Sequence, residues 1–529
     1  MTVSLSKKSK VFNFVLLAGA LSGAVAPAAL AAEDTDWRRR VIYLTIVDRF
    51  ADGDPSINNA HGSPVCNDPK NPHAYQGGDL EGLSNKLDYI KDLGADAVWL
   101  TPIYKGVQGM AGINCGFPGY WADFSVPYNL EVDPRFGSPS DFDELIAKAH
   151  SKDMKVVLDM VVNHAGYGAR LVSERPEWFM DPVNCHLQGN PEIYCPLAGL
   201  PDFDQRRGDV RDYLVDVHQQ WLRRFPVDAI RMDTVKHVEA EYFGRDWIPA
   251  MRQEKPDLYV LGEILDEGSF HLFERYFDAG FDGLFNFPLR TALISSFAKG
   301  HSVDAAASMV QATLARFGQE QTSTMVNLLD NHDVKRFVHE IPFGIPSEDS
   351  RKRYMLAFTA LLTIPGIPQI YYGNEIGMDG GTDPLNRRFM PSWAFDSEGR
   401  KGRYPGYLDK PNEIFDHVAK LLSIRKQHSA LQIGSYQELW RQSGAGNANV
   451  WAFYRGVPEE NSKAMVAINN GKLPTNGPLV IGVQGKFADG TVLVDVLGQA
   501  ATPPTVVVVK NGAVALSLPG QSSVVLVPQ

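Results

Sequence analysis

The sequence predicts a closed (β/α)8 barrel, an α/β fold, with a loop subdomain after its third strand and a C-terminal antiparallel β-sandwich. Three observations carry this reading. From Val41 onward, short β-rich runs alternate eight times with amphipathic helical stretches, the pattern of a parallel barrel. That rhythm breaks between 165 and 204, where Pro, Gly and Asn accumulate and helical period is lost. After Gln432 the period changes to two in runs such as "NVWAFYRG" and "TVVVVKNG", as half-buried antiparallel strands require.

Taken in chain order, residues 1–31 come first. Lys7, Lys8 and Lys10 precede an apolar stretch from Val11 to Ala26 and the small-residue run "PAALAA". This is the layout of a secretory signal peptide cleaved after Ala31. The expected product is secreted, extracellular or periplasmic, with no membrane attachment after cleavage. The barrel is then expected over 37–428. Its strands are "VIYLTIV", "AVWLT", "KVVLDMVV", "VDAIRMD", "LYVLGE", "GLFNF", "TMVNLLD" and "PQIYYG". Residues 165–204 leave the barrel as the loop subdomain, and 432–529 form the sandwich. An open doubly wound sheet would show the same alternation, but with fewer strands and a glycine-rich phosphate loop, which the chain lacks.

Bulk properties exclude some partners. The formal net charge is −11, with 51 Lys and Arg against 62 Asp and Glu, which argues against a nucleic-acid surface. A monomer is expected. The four cysteines allow three pairings in an exported chain. The short spacing of Cys185 and Cys195 favours joining those two, and Cys66 with Cys115.

The chemistry gathers at the C-terminal ends of the strands, the rim where barrels place reactive groups. The third strand brings Asp159, then Asn163 and His164; the fourth brings Arg231 and Asp233; the fifth brings Glu263; the seventh brings His332 and Asp333. Strand alternation turns Arg231 and Asp233 to the same side, so the guanidinium holds that carboxylate ionised. Glu263 follows the apolar "LYVL", an environment that raises a carboxyl pKa and suits a proton donor. One carboxylate kept anionic and one kept protonated is the arrangement of glycoside hydrolysis.

The motifs "GADAVWLTP", "DMVVNH", "AIRMDTVKH", "GEIL", "LLDNHD" and "GIPQIYYGNE", with "LPDFD" in the loop, resemble in content and order those of the α-amylase family of glycoside hydrolases. The resemblance implies Asp233 as nucleophile, Glu263 as acid/base and Asp333 as the third carboxylate. It also implies sugar contacts from Arg231, His164 and His332, with Lys236 and His237 on the leaving-group side. Tyr120 and Trp121 of "GFPGYWADF" resemble the segment that stacks on the sugar, although Pro118 stands where many members carry histidine. The implied cofactor is Ca2+, an ion that prefers oxygen ligands, held by Asn163, Asp202 and the main-chain carbonyl of His237. A second calcium site is expected from Asp52, Asp54, Asn58, Asn59 and Asp79 of "DGDPSINN" and "GGDL".

Within the family, "VKH" after Asp233 resembles the form seen in α-1,4-specific members. Ala198 occupies the position where glucanotransferases carry a central aromatic. The leading expectation is a secreted, calcium-dependent α-amylase that cleaves internal α-1,4 bonds of starch and maltodextrins with retention. The alternatives are a cyclomaltodextrinase or maltogenic amylase, which the segment "DPLNRRFMPSW" resembles, a transglycosylating glucanotransferase, and a non-catalytic glucan-binding protein.

Overall fold

The computed structural model describes Met1 and residues 35–63, 65–108, 110, 112–115, 119–124, 131–343, 347–443, 449–498 and 505–529. The leader read at 1–31, apart from Met1, and Pro118 lie outside the described residues. The chain divides into two units, Met1–Asp36 and Trp37–Gln529. The fold is that of the second.

Eight parallel strands form the expected barrel: β1 Ile42–Thr45, β2 Ala97–Leu100, β3 Lys155–Met160, β4 Ala229–Met232, β5 Tyr259–Gly262, β6 Gly283–Leu284, β7 Val326–Leu328 and β8 Ile367–Tyr371. They pair in the order β6-β5-β4-β3-β2-β1-β8-β7, and a parallel bridge between Phe285 and Val326 joins the two ends. All eight are buried apart from Lys155 at the start of β3, because helices cover the outside and side chains fill the inside. Asp159 pairs in register with Arg231 and Arg231 with Leu261. The polar ends of β3 and β4 therefore stand side by side.

Most strands are shorter than the runs that predict them, two of them for evident physical reasons. "GLFNF" yields only the two residues of β6, since Asn286 caps the helix Phe287–Leu293 by accepting from the Leu289 N–H; a strong N-cap ends the extended run early. "VIYLTIV" stops at Thr45, and the next residues turn into the helical segment Val47–Phe50.

The excursion after β3 contains single helical turns, among them Arg170–Glu174 and Pro191–Tyr194, and no strand longer than a bridge. Backbone bridges His164–Asp202 and Phe179–Phe203 fasten its end to its beginning. Cys185 and Cys195 are disulfide-bonded across it, and Cys66 is bonded to Cys115. Both favoured pairings are present.

Among the described residues the C-terminal region holds eight strands: β9 Ser435–Ser443, β10 Asn449–Val457, β11 Ser462–Asn469, β12 Leu479–Gly482, β13 Val492–Asp495, β14 Val506–Val508, β15 Ala513–Leu516 and β16 Ser522–Pro528. Six of them form the antiparallel sheet β14-β13-β16-β11-β10-β9, and β12 pairs with β15. Along β10, Val450, Ala452 and Tyr454 pack into the core between the two sheets, while Trp451 and Phe453 join the barrel core. The larger sheet is thus a middle layer buried on both faces, which is why β10 reads as a nearly continuous apolar run.

Arg455 of β10 staples the layers. Its buried guanidinium donates to the carbonyls of Gly434 (2.9 and 3.2 Å) and Thr363 (2.5 Å). Arg455→Ala strands these acceptors without water, so the chain should lose roughly 3 kcal/mol of stability, as for a buried charged hydrogen-bond donor removed from its partners. Chemical denaturation checks this: an unchanged midpoint would contradict the staple.

Candidate active site

The strand ends converge on a cavity of about 490 Å³ at the C-terminal mouth of the barrel, lined by Asp233, Glu263, Asp333, His164, His332, Tyr120, Trp121, Lys236 and His237. The buried Arg231 connects the acids of the site. Nη1 donates to Asp159 at 2.9 and 3.2 Å and to Asp233 at 2.6 Å, while Nη2 lies 3.8 Å from Glu263. The guanidinium is fully buried, and the surrounding carboxylates hold it charged, well above its ordinary range. Nη2 has no hydrogen-bond partner, which leaves a fixed N–H donor beside Glu263.

Asp159 carries more of this arrangement than the sequence reading assigned to it. Its carboxylate accepts from Tyr120 Oη at 2.6 Å and Trp99 Nε1 at 3.1 Å as well as from Arg231. Burial pushes its pKa up to about 7, against the pull of Arg231. Tyr120 is also set by the backbone before it: Gly119 has φ +79°, and a Cβ there would stand 1.6 Å from the Pro102 carbonyl oxygen. Only glycine fits that close approach.

Glu263 differs from Asp233 in its surroundings. Burial pushes its pKa up to about 8, with Asp233 and Asp333 adding to the rise and Arg231 and the Thr234 N–H opposing it. That N–H donates to Oε2 at 3.0 Å. Thr234 makes this bond from a left-handed conformation at φ 49°, which a β-branched residue adopts only under strain. Burial thus biases Glu263 toward its protonated form, next to the Asp233 side chain bonded to Arg231.

The histidines are neutral donors and acceptors. Burial holds His164, His237 and, further still, His332 below the ordinary imidazole range, and Arg387 and Arg231 add to the effect at His332. His332 stacks on Tyr120 (5.2 Å between centroids, 17° between planes) and its Nε2 lies 3.0 Å from Asp333. Arg387, which the sequence reading did not single out, bonds the His332 carbonyl at 2.8 Å and Asp333 at 3.2 Å. On the other side, Lys236 pairs with Glu192 at 3.0 Å, and the His237 ring bonds the Glu192 carbonyl at 2.7 Å. Glu192 belongs to the excursion, so the excursion walls this end of the cavity. Trp121 meets Tyr167 edge to face, and the Tyr167 hydroxyl donates to the carbonyl of Ala198.

The two expected calcium sites fit unequally. The bridge between His164 and Asp202 brings Asn163 and Asp202 together, and burial pushes the Asp202 carboxyl up to about 7. Its Oδ2 accepts from the Leu197 N–H at 3.0 Å, and Oδ1 is buried without a partner. A buried carboxylate oxygen lacking a donor is one that a hard cation would complete. In the other group, Asp79 is consumed by backbone: it accepts from the N–H groups of Gly53, Asp54 and Gly82 and caps the helix Leu80–Asn85. Asp52 is engaged by Asn58 Nδ2 at 2.9 Å and Asp54 by the Ser56 N–H, while Asn58 Oδ1 is buried and unpartnered. Asn59 is exposed. Among the described residues no three acidic, histidine or cysteine side chains converge as a metal cluster, so a cation at either place would draw on amide or main-chain oxygens as well.

Comparison with known proteins agrees with this geometry. The sequence profile described as "Alpha amylase, catalytic domain" matches residues 44–182 and 192–403. A cyclomaltodextrinase from Geobacillus thermopakistaniensis is 30% identical over 85% of this chain and 72% of its own. An intracellular maltogenic amylase from Bacillus subtilis is 29% identical over 75% of this chain, which spans 63% of that relative's length. Among solved structures, an Anoxybacillus α-amylase superposes with a TM-score of 0.78 at 30% identity, covering 93% of this chain and 98% of that one. The chain belongs to the α-amylase family. It is a glycoside hydrolase acting on α-glucans.

Three outcomes follow from the site. Asp233→Asn should lower kcat by about 10⁴-fold or more and Glu263→Gln by roughly 10²–10⁴-fold, each with an unchanged thermal midpoint; near-native turnover by either would contradict the assignment. With Glu263 as the proton donor that the resemblance implies, kcat/KM should fall as pH rises through about 8, and the residual activity of Glu263→Gln should lack that limb. Added calcium should raise the thermal unfolding midpoint of the parent and leave Asp202→Ala nearly unmoved; equal shifts would place the ion elsewhere.

Proposed function

We propose that this protein hydrolyses α-1,4-glucosidic bonds with retention of configuration, and that cyclic and short linear maltodextrins are its preferred substrates. The observation that carries the chemistry is the buried Arg231 guanidinium, bonded to Asp233 at 2.6 Å and 3.8 Å from Glu263, whose carboxyl pKa burial pushes up. Asp233 attacks the anomeric carbon while Glu263 passes its proton to the departing glycosidic oxygen. The resulting glycosyl ester at Asp233 is opened by water, whose proton returns to Glu263. Arg231 orients Asp233 through the 2.6 Å bond from Nη1, and its free N–H is placed for an oxygen that gains charge on the way. Asp333, His332 and His164 hydrogen-bond ring hydroxyls, Tyr120 and Trp121 pack on the sugar faces, and Lys236 and His237 border the leaving group.

The choice of substrate rests on the cyclomaltodextrinase and maltogenic amylase relatives, which support the alternative reading better than an endo-acting starch amylase. A second reading, hydrolysis of internal bonds in starch, is favoured by the Anoxybacillus α-amylase, which the chain matches over almost its whole length. Calcium at Asn163, Asp202 and the His237 carbonyl would tie the excursion to the barrel. Export is proposed from the leader and is supported by the two disulfides, which persist in oxidising compartments.

Time-resolved product analysis on β-cyclodextrin, maltotriose and soluble starch separates the two readings. Ring opening of β-cyclodextrin with a kcat/KM above that for starch is expected. Rapid fragmentation of starch with little cyclodextrin opening would replace the proposal with the endo-amylase reading.

A further inference from the structure

Beyond the Glu192 wall lies a second cavity of about 290 Å³, between the excursion and the segment after β4. Tyr194 lines it from the excursion and Tyr242 from the barrel side. Tyr242 is 3% exposed, and its hydroxyl has no hydrogen-bond partner. A buried hydroxyl left unpaired costs about 1–3 kcal/mol, so a polar ligand in the cavity would relieve a standing penalty. The backbone beside it is also irregular: Phe243–Trp247 forms a π-helical turn, a feature concentrated at functional sites. This turn carries Arg245 and Asp246 to the cavity wall.

The charges on the wall define the ligand class. The lining holds Arg206, Arg211 and Arg245 with Glu239, Glu241 and Asp246. Arg211 pairs with Asp246 at 3.4 Å, Arg206 with Asp204, and Glu239 and Glu241 with Arg275, so most of these charges are already matched and the wall favours neither a cation nor an anion. Donors, acceptors and two tyrosine rings together suit a neutral polyhydroxyl compound. Ligand pockets run from roughly 300 to 1,000 Å³, and a volume just under that range takes one or two sugar rings. The excursion contributes lining residues to both cavities. Glu192 holds Lys236 and the His237 ring on the catalytic side, and two residues later the Tyr194 hydroxyl donates to Glu239 at 2.6 Å on the other.

We infer that this second cavity is a separate saccharide-binding site, which takes the end of a short α-glucan between Tyr194, Tyr242 and Arg245. The inference rests on the assignment of α-glucans as substrates. Removing the Tyr242 hydroxyl takes away an atom without a partner, and Arg245 is exposed, so both positions tolerate change.

Isothermal titration of maltotriose into the full-length Glu263→Gln chain, with and without Tyr242→Phe and Arg245→Ala, tests it. The chain with the intact second cavity should bind one equivalent more than the variant, and both should unfold at similar temperatures. Should the double change fail to fold, Arg245→Ala alone is expected to weaken the extra equivalent at least 10-fold. Equal stoichiometry and affinity in both chains would overturn the second site while leaving the α-glucan assignment in place. Absence of maltotriose binding in both would overturn that assignment together with the inference.

Discussion

A positive charge buried without water inside a barrel is the constraint on which the site depends. Arg231 shows no solvent exposure, and an unpaired charge at such depth would cost several kcal/mol. The barrel answers with acids on neighbouring strands: Asp159 on β3, Asp233 just after β4 and Glu263 just after β5. These acids would repel one another without the guanidinium, and the guanidinium would be unstable without them. Asp159 and Asp233 share one nitrogen at hydrogen-bond distance, whereas Glu263 stands off at 3.8 Å. Asp233 is thus bonded directly to the guanidinium, while burial pushes the more distant Glu263 carboxyl up.

Around this centre the other elements act as positioning devices. Tyr120 is oriented by Asp159 beneath it and by the close approach at Gly119 behind it. Arg387 reaches in from beyond β8 to fix the His332 carbonyl and Asp333. The excursion closes the opposite side through Glu192. Its single helical turns have too little apolar surface to fold alone, and they are held by a disulfide, two backbone bridges and contact with the barrel. An active-site wall built this way is adjustable in sequence without disturbance to the sheet.

Much of this was legible because period and chemistry coincide in a barrel. Alternation in β4 places Arg231 and Asp233 on one face, and strand ends predict which polar residues meet. The positions of Asp233, Glu263, Asp333, His164 and His332 around one cavity follow from that rule. Contacts that join distant segments were not legible. Arg387 lies more than 50 residues after Asp333, inside a run noticed only for its resemblance to relatives, and nothing local marks its direction. Asp159 was visible as a strand-end acid, yet its bonds to Trp99 and Tyr120 depend on register. The double-sided burial of β10 was equally hidden, because an apolar run does not state which layer lies on either face. Asp79 shows the reverse case: an acid in an Asp- and Asn-rich turn suggests a cation ligand, but three backbone N–H groups claim it.

The central claim is that Arg231 holds Asp233 and Glu263 in the relation required for double displacement at an anomeric carbon. Proton NMR of the first product released from an α-1,4-linked maltooligosaccharide, recorded before mutarotation, tests it most directly. The account predicts that the α-anomer appears first and later equilibrates. Initial release of the β-anomer would mean a single displacement by water, and would contradict a glycosyl-enzyme at Asp233.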